Sequence, residues 1–198
     1  MKIICLTGGF ASGKSTAAKF MEDKGANIID ADRLGHRAYD IGTHPYRQVI
    51  DTFGPEVVAD DNDIDREALG NKVFGKPDEL KKLTDIVWPE IRRLAELEIA
   101  GFDAIYPDGI VVLEAAVLFE AGWEDIGDET WVVVVDRETA IERSIIRNQL
   151  DRAAAERRID SQLSNEERIS RAETVIENNG DLSELIARLE TEWARVSS

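Results

Sequence analysis

Lysine is scarce in this chain, at 8 of 198 residues against 16 arginines and 40 aspartates and glutamates. The resulting formal charge of −16 argues against a broad nucleic-acid footprint, because phosphate backbones are bound by neutralising them with Lys and Arg. There is a single cysteine, Cys5, so no intramolecular disulfide can form and no thiolate metal cluster is expected. Long hydrophobic runs are missing too. None approaches the ~18 residues needed to cross a bilayer, which excludes a membrane partner of that kind. Met1-Lys2 leads straight into Ile3-Ile4-Cys5-Leu6 without the apolar stretch and small-residue cleavage site of a signal peptide, so the expected location is cytoplasmic. No internal repeat or low-complexity segment stands out. The acidic, lysine-poor balance is a pattern that fits adaptation to high salt.

What remains is the composition of a soluble α/β chain, 43% hydrophobic and 32% charged, with one core as the working assumption. Residues 2–7 form a short apolar run ending in Gly8-Gly9, the length and flank of a buried parallel strand. Ser15 to Lys24 has helix-forming composition and stops at Gly25. Asn27-Ile28-Ile29-Asp30 reads as a second strand, with Asp30 and Asp32 at its carboxyl end, where open α/β sheets place ligands. From Arg33 to about Ala100 the pattern is mainly helical, broken by Gly and Pro, and is expected to be inserted helices capping the sheet. Gly109–Phe119 and Thr130–Val135 are β-prone and almost continuously apolar, as in parallel sheets covered on both faces. Arg137–Leu150, Asp151–Leu163 and Leu182–Val196 are expected to be helices.

Gly8-Gly9-Phe10-Ala11-Ser12-Gly13-Lys14-Ser15 satisfies G-x-x-x-x-G-K-[ST], between a predicted strand and a predicted helix. Glycines in such a loop let backbone N–H groups converge on phosphate oxygens, while the following helix presents its positive end. The expected nucleotide site is therefore Gly8, Gly9, Ala11, Ser12, Gly13, Lys14, Ser15 and Thr16, with ATP and Mg²⁺ as its ligands. Lys14 would bridge the β- and γ-phosphates and Ser15 would bind the metal.

Asp32 stands where a carboxylate could take the proton of an acceptor hydroxyl; the competing reading is a helix N-cap. Glu114 is a charge in a buried run, which implies either a role behind Mg²⁺ or a structural ion pair. Six arginines fall between 137 and 158 in a chain short of cations. Arg143 and Arg147, four apart on one helical face, are expected to reach the transferring phosphates. Pairing with Glu138, Glu142 and Glu156 is the competing account of the other arginines.

From Ile4 to Asp32 the sequence Leu-Thr-Gly-Gly-x-x-Ser-Gly-Lys-Ser-Thr, followed by Ile-Asp-Ala-Asp, closely resembles the opening of dephospho-coenzyme A kinases. Ile64-Asp65-Arg66 with Leu69 and Val73-Phe74, then Leu118-Phe119-Glu120, Arg143 with Arg147, Arg158-Ile159 with Gln162, and Asn178-Asn179-Gly180 are similar to later family motifs in the same order. The resemblance implies a three-layer P-loop kinase fold with a parallel central sheet, a helical CoA-side insertion and a mobile lid. It assigns residues 1–32, 101–136 and 165–198 to the nucleotide-binding core, 33–100 to the helical substrate domain and 137–164 to the arginine-rich lid. It also implies transfer of the ATP γ-phosphoryl group to the 3′-hydroxyl of dephospho-CoA, with Lys14, Asp32, Arg143 and Arg147 catalytic, Asp32 and Arg66 on the acceptor, and ATP and dephospho-CoA as partners. Oligomeric state stays open. Departures are Trp88-Pro89 in place of His-Pro, Glu114-Ala115-Ala116 in place of Asp-x-Pro, Ala11 for a glycine and Ala140 for a glutamine. Two alternatives remain, another P-loop metabolite kinase and a nucleotide-binding module that has lost transfer.

Overall fold

Strands and helices alternate along the chain except in two helical blocks, and the chain divides into two compact units. The computed structural model describes residues 1–197, without the side chain of residue 148. The strands are β1 (Lys2–Gly8), β2 (Asn27–Asp30), β3 (Ile110–Glu114), β4 (Glu129–Val134) and β5 (Thr174–Glu177). The helices are α1 (Lys14–Asp23), α2 (Ala31–Arg37), α3 (His44–Phe53), α4 (Arg66–Val73), α5 (Pro77–Ile105), α6 (Arg137–Asn148), α7 (Arg152–Asp160), α8 (Asn165–Ser170) and α9 (Leu182–Val196).

Met1–Asp30 and the chain from Ile99 onward form the first unit, a parallel sheet of order β2-β3-β1-β4-β5. Parallel neighbours cannot be joined by hairpins, so each connection crosses a face of the sheet and covers it. That is why β1, β3 and β4 read as unbroken apolar runs; every residue of β4 is buried. On one face α1 contributes Ala17, Ala18, Phe20 and Met21, and α9 contributes Leu185, Leu189 and Trp193 at helical spacing. These close over Ile4, Leu6, Val112, Trp131, Val133 and Ile176. The alternate strand positions, among them Cys5, Leu113 and Val132, are equally buried. The Cys5 thiol donates to Trp123 O at 3.8 Å, and burial pushes its pKa up to about 12, which makes it an inert core side chain.

Ala31–Glu98, the second unit, has its own core of Val49, Phe53, Val57, Ile64, Leu69 and Val73. Asp65 caps α4, accepting from Glu67 N at 2.9 Å and Ala68 N at 3.0 Å. Pro89 lies inside α5 and removes a helical donor, yet the helix continues. Val87, Ile91 and Ala95 stay buried along one stripe, and that burial outweighs one lost bond.

Four elements differ from the sequence reading, one of them α8, a six-residue helix too short to show a period. The apolar run 109–119 is a strand only over Ile110–Glu114, after which Leu118, Phe119 and Trp123 are buried in turns. Apolar continuity marks burial, and burial is as complete in that turn as in the strand. The helical block runs on through Gly101 to Ile105. β5 is an edge strand of four residues, too short to stand out as a period. No helix among the described residues is long and apolar enough to cross a membrane.

Candidate active site

β1 ends at Gly8 because nothing larger fits: a side-chain carbon there would lie 2.5 Å from Ser12 Oγ and 2.6 Å from Val133 O. The chain then loops through Gly9–Ser12 and enters α1 at Gly13, the helix N-cap, with φ 99°. That left-handed geometry favours glycine, and a side-chain carbon at Gly13 would strike Asn178 Nδ2. Ala11 also sits in the left-handed region, at φ 58°. Ser12 N donates to Gly9 O at 3.1 Å, and Thr16 and Ala17 both donate to Gly13 O. The N–H groups of Lys14 and Ser15, in the first turn, have no intrahelical acceptor by helix geometry and lie at the positive end of the helix.

Lys14 Nζ lies 3.2 Å from Glu114 Oε1, and Ser15 Oγ donates to the same oxygen at 3.3 Å. Glu114 ends β3, in register with Leu6 of β1 on one side and Asp30, the last residue of β2, on the other. Three parallel strands thus bring the phosphate-motif lysine and serine and two acids to one edge of the sheet. The ion-pair reading of Glu114 holds, and its partners are the two side chains the phosphate motif requires.

Side chains from the last third of the chain hold the loop from outside. Asn178 Nδ2 donates to Ser12 O at 2.7 Å, and Gln162 Oε1 accepts from Phe10 N at 2.8 Å. The Arg158 guanidinium stands 4.4 Å from the centre of the Phe10 ring. Arg143 donates to Asn178 O at 2.9 Å and Gly180 O at 3.0 Å, so it orders the segment that supports Ser12. Arg147 is exposed one turn further along α6. Arg137 and Arg152 belong to an exposed ion-pair group with Glu138, Glu156 and Asp160. The supporting roles of Gln162 and Asn178 escaped the sequence reading, because a side chain that holds a loop 150 residues away leaves no local spacing.

Asp32 and Arg66 lie in the second unit. α2 begins at Ala31, which places Asp32 inside its first turn, exposed, rather than at the N-cap. Arg66 is the first residue of α4. Burial pushes the Tyr39 phenol upward and the neighbouring Arg66 guanidinium pulls it back.

The loop fits a nucleoside triphosphate: Gly8 and Gly13 leave no room for a side chain, the first helical amides have no intrahelical acceptor, and Lys14 supplies the cation. Among the described residues no group of three or more His, Cys, Asp or Glu could hold a metal by itself. Mg²⁺ needs no such cage, since it binds through one or two protein oxygens together with substrate phosphates. Ser15 Oγ, with Glu114 beside it, fits that requirement.

Comparison with known proteins agrees with this geometry. The family model described as dephospho-CoA kinase matches residues 2–184. A dephospho-CoA kinase of Geobacter sulfurreducens is 44% identical over 197 residues, covering 98% of both chains. One of Symbiobacterium thermophilum is 40% identical, covering 98% of this chain and 80% of its own. The solved dephospho-CoA kinase of Campylobacter jejuni superposes with a TM-score of 0.75 at 25% identity, covering 98% of this chain and 96% of that one. A shikimate kinase from Bacteroides thetaiotaomicron, 15% identical with a TM-score of 0.53, covers 100% of this chain and 99% of its own and shares the fold. The chain belongs to the dephospho-CoA kinase family.

Proposed function

We propose that this chain transfers the γ-phosphoryl group of ATP to the 3′-hydroxyl of dephospho-CoA, giving coenzyme A and ADP. The observation that carries the reading is the convergence of Lys14 and Ser15 on Glu114 at the carboxyl edge of the sheet, in a chain of this family. In the transfer, the bond from the γ-phosphorus to the ADP oxygen breaks and one to the acceptor oxygen forms. The acceptor's hydroxyl proton goes to Asp32. Lys14 binds the phosphate oxygens as charge moves onto them, and the loop amides hold them in place. Bound Mg²⁺, held through Ser15 Oγ, would neutralise part of the phosphate charge.

Arg143 and Arg147 contribute further cations to the phosphates, and Arg66 binds the acceptor. Residues 137–164 act as the lid, whose closure excludes water and so limits idle ATP hydrolysis. The departures at Trp88 and Ala116 fall outside the phosphate motif, and the one at Glu114 keeps a carboxylate against Lys14 and Ser15.

The test is ADP release from Mg-ATP with dephospho-CoA, adenosine, shikimate, gluconate or no acceptor, with the product weighed for one added phosphoryl group. Turnover with dephospho-CoA alone supports the reading; nucleotide binding without acceptor-stimulated turnover favours a module that has lost transfer. Asp32→Asn should lower kcat by about 10²- to 10⁴-fold while Mg-ATP affinity stays near the wild-type value. Near-normal turnover would remove Asp32 from the mechanism.

A further inference from the structure

Arg168, in α8, has no part in the mechanism above, yet its side chain is only 2% exposed. Nη1 donates to Leu163 O, and Nη2 lies 3.7 Å from Glu120. Nε and Nη2 make no hydrogen bond. A guanidinium withheld from water with donors unpaired is costly, and packing alone would be met better by an apolar side chain of the same volume.

Arg168 stands beside the phosphate loop: a side-chain carbon added at Gly9 would lie 3.4 Å from its Nη1, within van der Waals reach. The preceding strap, residues 158–168, grips the next residue as well, through Gln162 on the Phe10 N–H and Arg158 over the Phe10 ring. On its other side stands Glu120, six residues after Glu114 in the segment that leaves β3. Arg168 is therefore wedged between the start of the phosphate loop and the segment that follows the Lys14 partner.

We propose that Arg168 is a positioning residue for phosphoryl transfer, which fixes the Gly9–Phe10 backbone relative to the Lys14–Glu114 pair. The proposal rests on the phosphotransfer reading above. It acts through the loop and touches no reacting atom.

Arg168→Met tests it, because Met fills similar space and removes the buried charge. Replacing buried charge in this way often leaves stability equal or higher. Melting temperature should hold or rise, while kcat with saturating Mg-ATP and dephospho-CoA falls about 10-fold or more through loop misplacement. The Phe10 amide should exchange with solvent faster than in the wild type, and Arg168→Lys should recover part of both losses. A folded Arg168→Met protein with kcat within about twofold of wild type and unchanged Phe10 exchange overturns the proposal.

Should the Met variant not fold, Glu120→Gln carries the test, because it removes the acidic partner of Arg168 and leaves the Gln162 bond to Phe10 in place. Faster Phe10 exchange with lowered kcat supports the proposal, and wild-type values of both overturn it. Wild-type turnover is the control that separates the two ideas. If the wild-type chain does not phosphorylate dephospho-CoA, the functional reading fails, and Phe10 exchange in the variants still decides whether Arg168 positions the loop.

Discussion

Two glutamates are buried in the same sheet at opposite edges, Glu114 at 9% and Glu129 at 8% exposure, and they are held very differently. At the amino edge Glu129 accepts from Trp131 Nε1 at 3.0 Å and Thr174 Oγ1 at 2.7 Å, binds the Arg195 guanidinium and lies 3.2 Å from Lys2 Nζ. Arg195 above all holds its pKa down to about 2, against the cost of burial. At the carboxyl edge Glu114 has Lys14 at 3.2 Å and the Ser15 hydroxyl at 3.3 Å. An O–H···O contact of that length is weak, since such bonds usually run ~2.5–3.0 Å. The amino edge is closed by partners that no reaction needs. The carboxyl edge keeps its acid on two side chains that phosphates also bind, through contacts that an incoming ligand can replace.

The comparison breaks most sharply at the functional edge. Lys14→Met should lower kcat/KM for Mg-ATP by about 10²- to 10³-fold, the usual loss when one donor to developing charge is removed. Steady-state kinetics check it; a loss under about tenfold would separate Lys14 from the reaction. At the other edge, Glu129→Leu leaves the Trp131 N–H and Thr174 hydroxyl without their acceptor. It should cost about 2 kcal/mol in urea unfolding, with kcat unchanged at a temperature where both proteins are folded.

The same edge sets an acid limb. Folded Glu129 stays ionised to about pH 2. The unfolded carboxyl protonates near ~4.3, so the unfolded chain takes up this proton first. Its stabilisation is complete above that unfolded value and is lost as pH falls from there towards 2. Glu129→Gln should therefore flatten the stability profile over that window, measured by urea midpoints at each pH; an unchanged acid limb contradicts it.

The smallest effect belongs to Ala11→Gly. Relief of left-handed strain, about 1 kcal/mol, is offset by about 0.4–1 kcal/mol of extra unfolded-state entropy. The urea midpoint should barely move.

The sequence makes the carboxyl edge readable and hides the amino edge. Gly8 to Ser15 carry their geometry in their spacing, since a loop that must admit backbone to phosphate allows few residue types. β1 and β4 were legible from apolar runs for the same local reason, whereas the end of β3 was not, because the buried turn after Glu114 is equally apolar. Glu129 gave no signal: Lys2, Trp131, Thr174 and Arg195 meet only once parallel pairing aligns the starts of β1, β4 and β5. Arg168 was invisible for a similar reason, lying in a short charged stretch with no apolar period, one of whose members the fold buries.

Glu114→Gln, assayed for kcat and melting temperature on the same preparation, tests most directly whether the carboxyl edge serves the reaction. kcat with saturating Mg-ATP and dephospho-CoA should fall about 10- to 100-fold, the range seen when groups behind a metal site are changed, while the melting temperature stays close to wild type. A large drop in melting temperature with kcat intact would place Glu114 beside Glu129 as a purely structural acid and contradict the account.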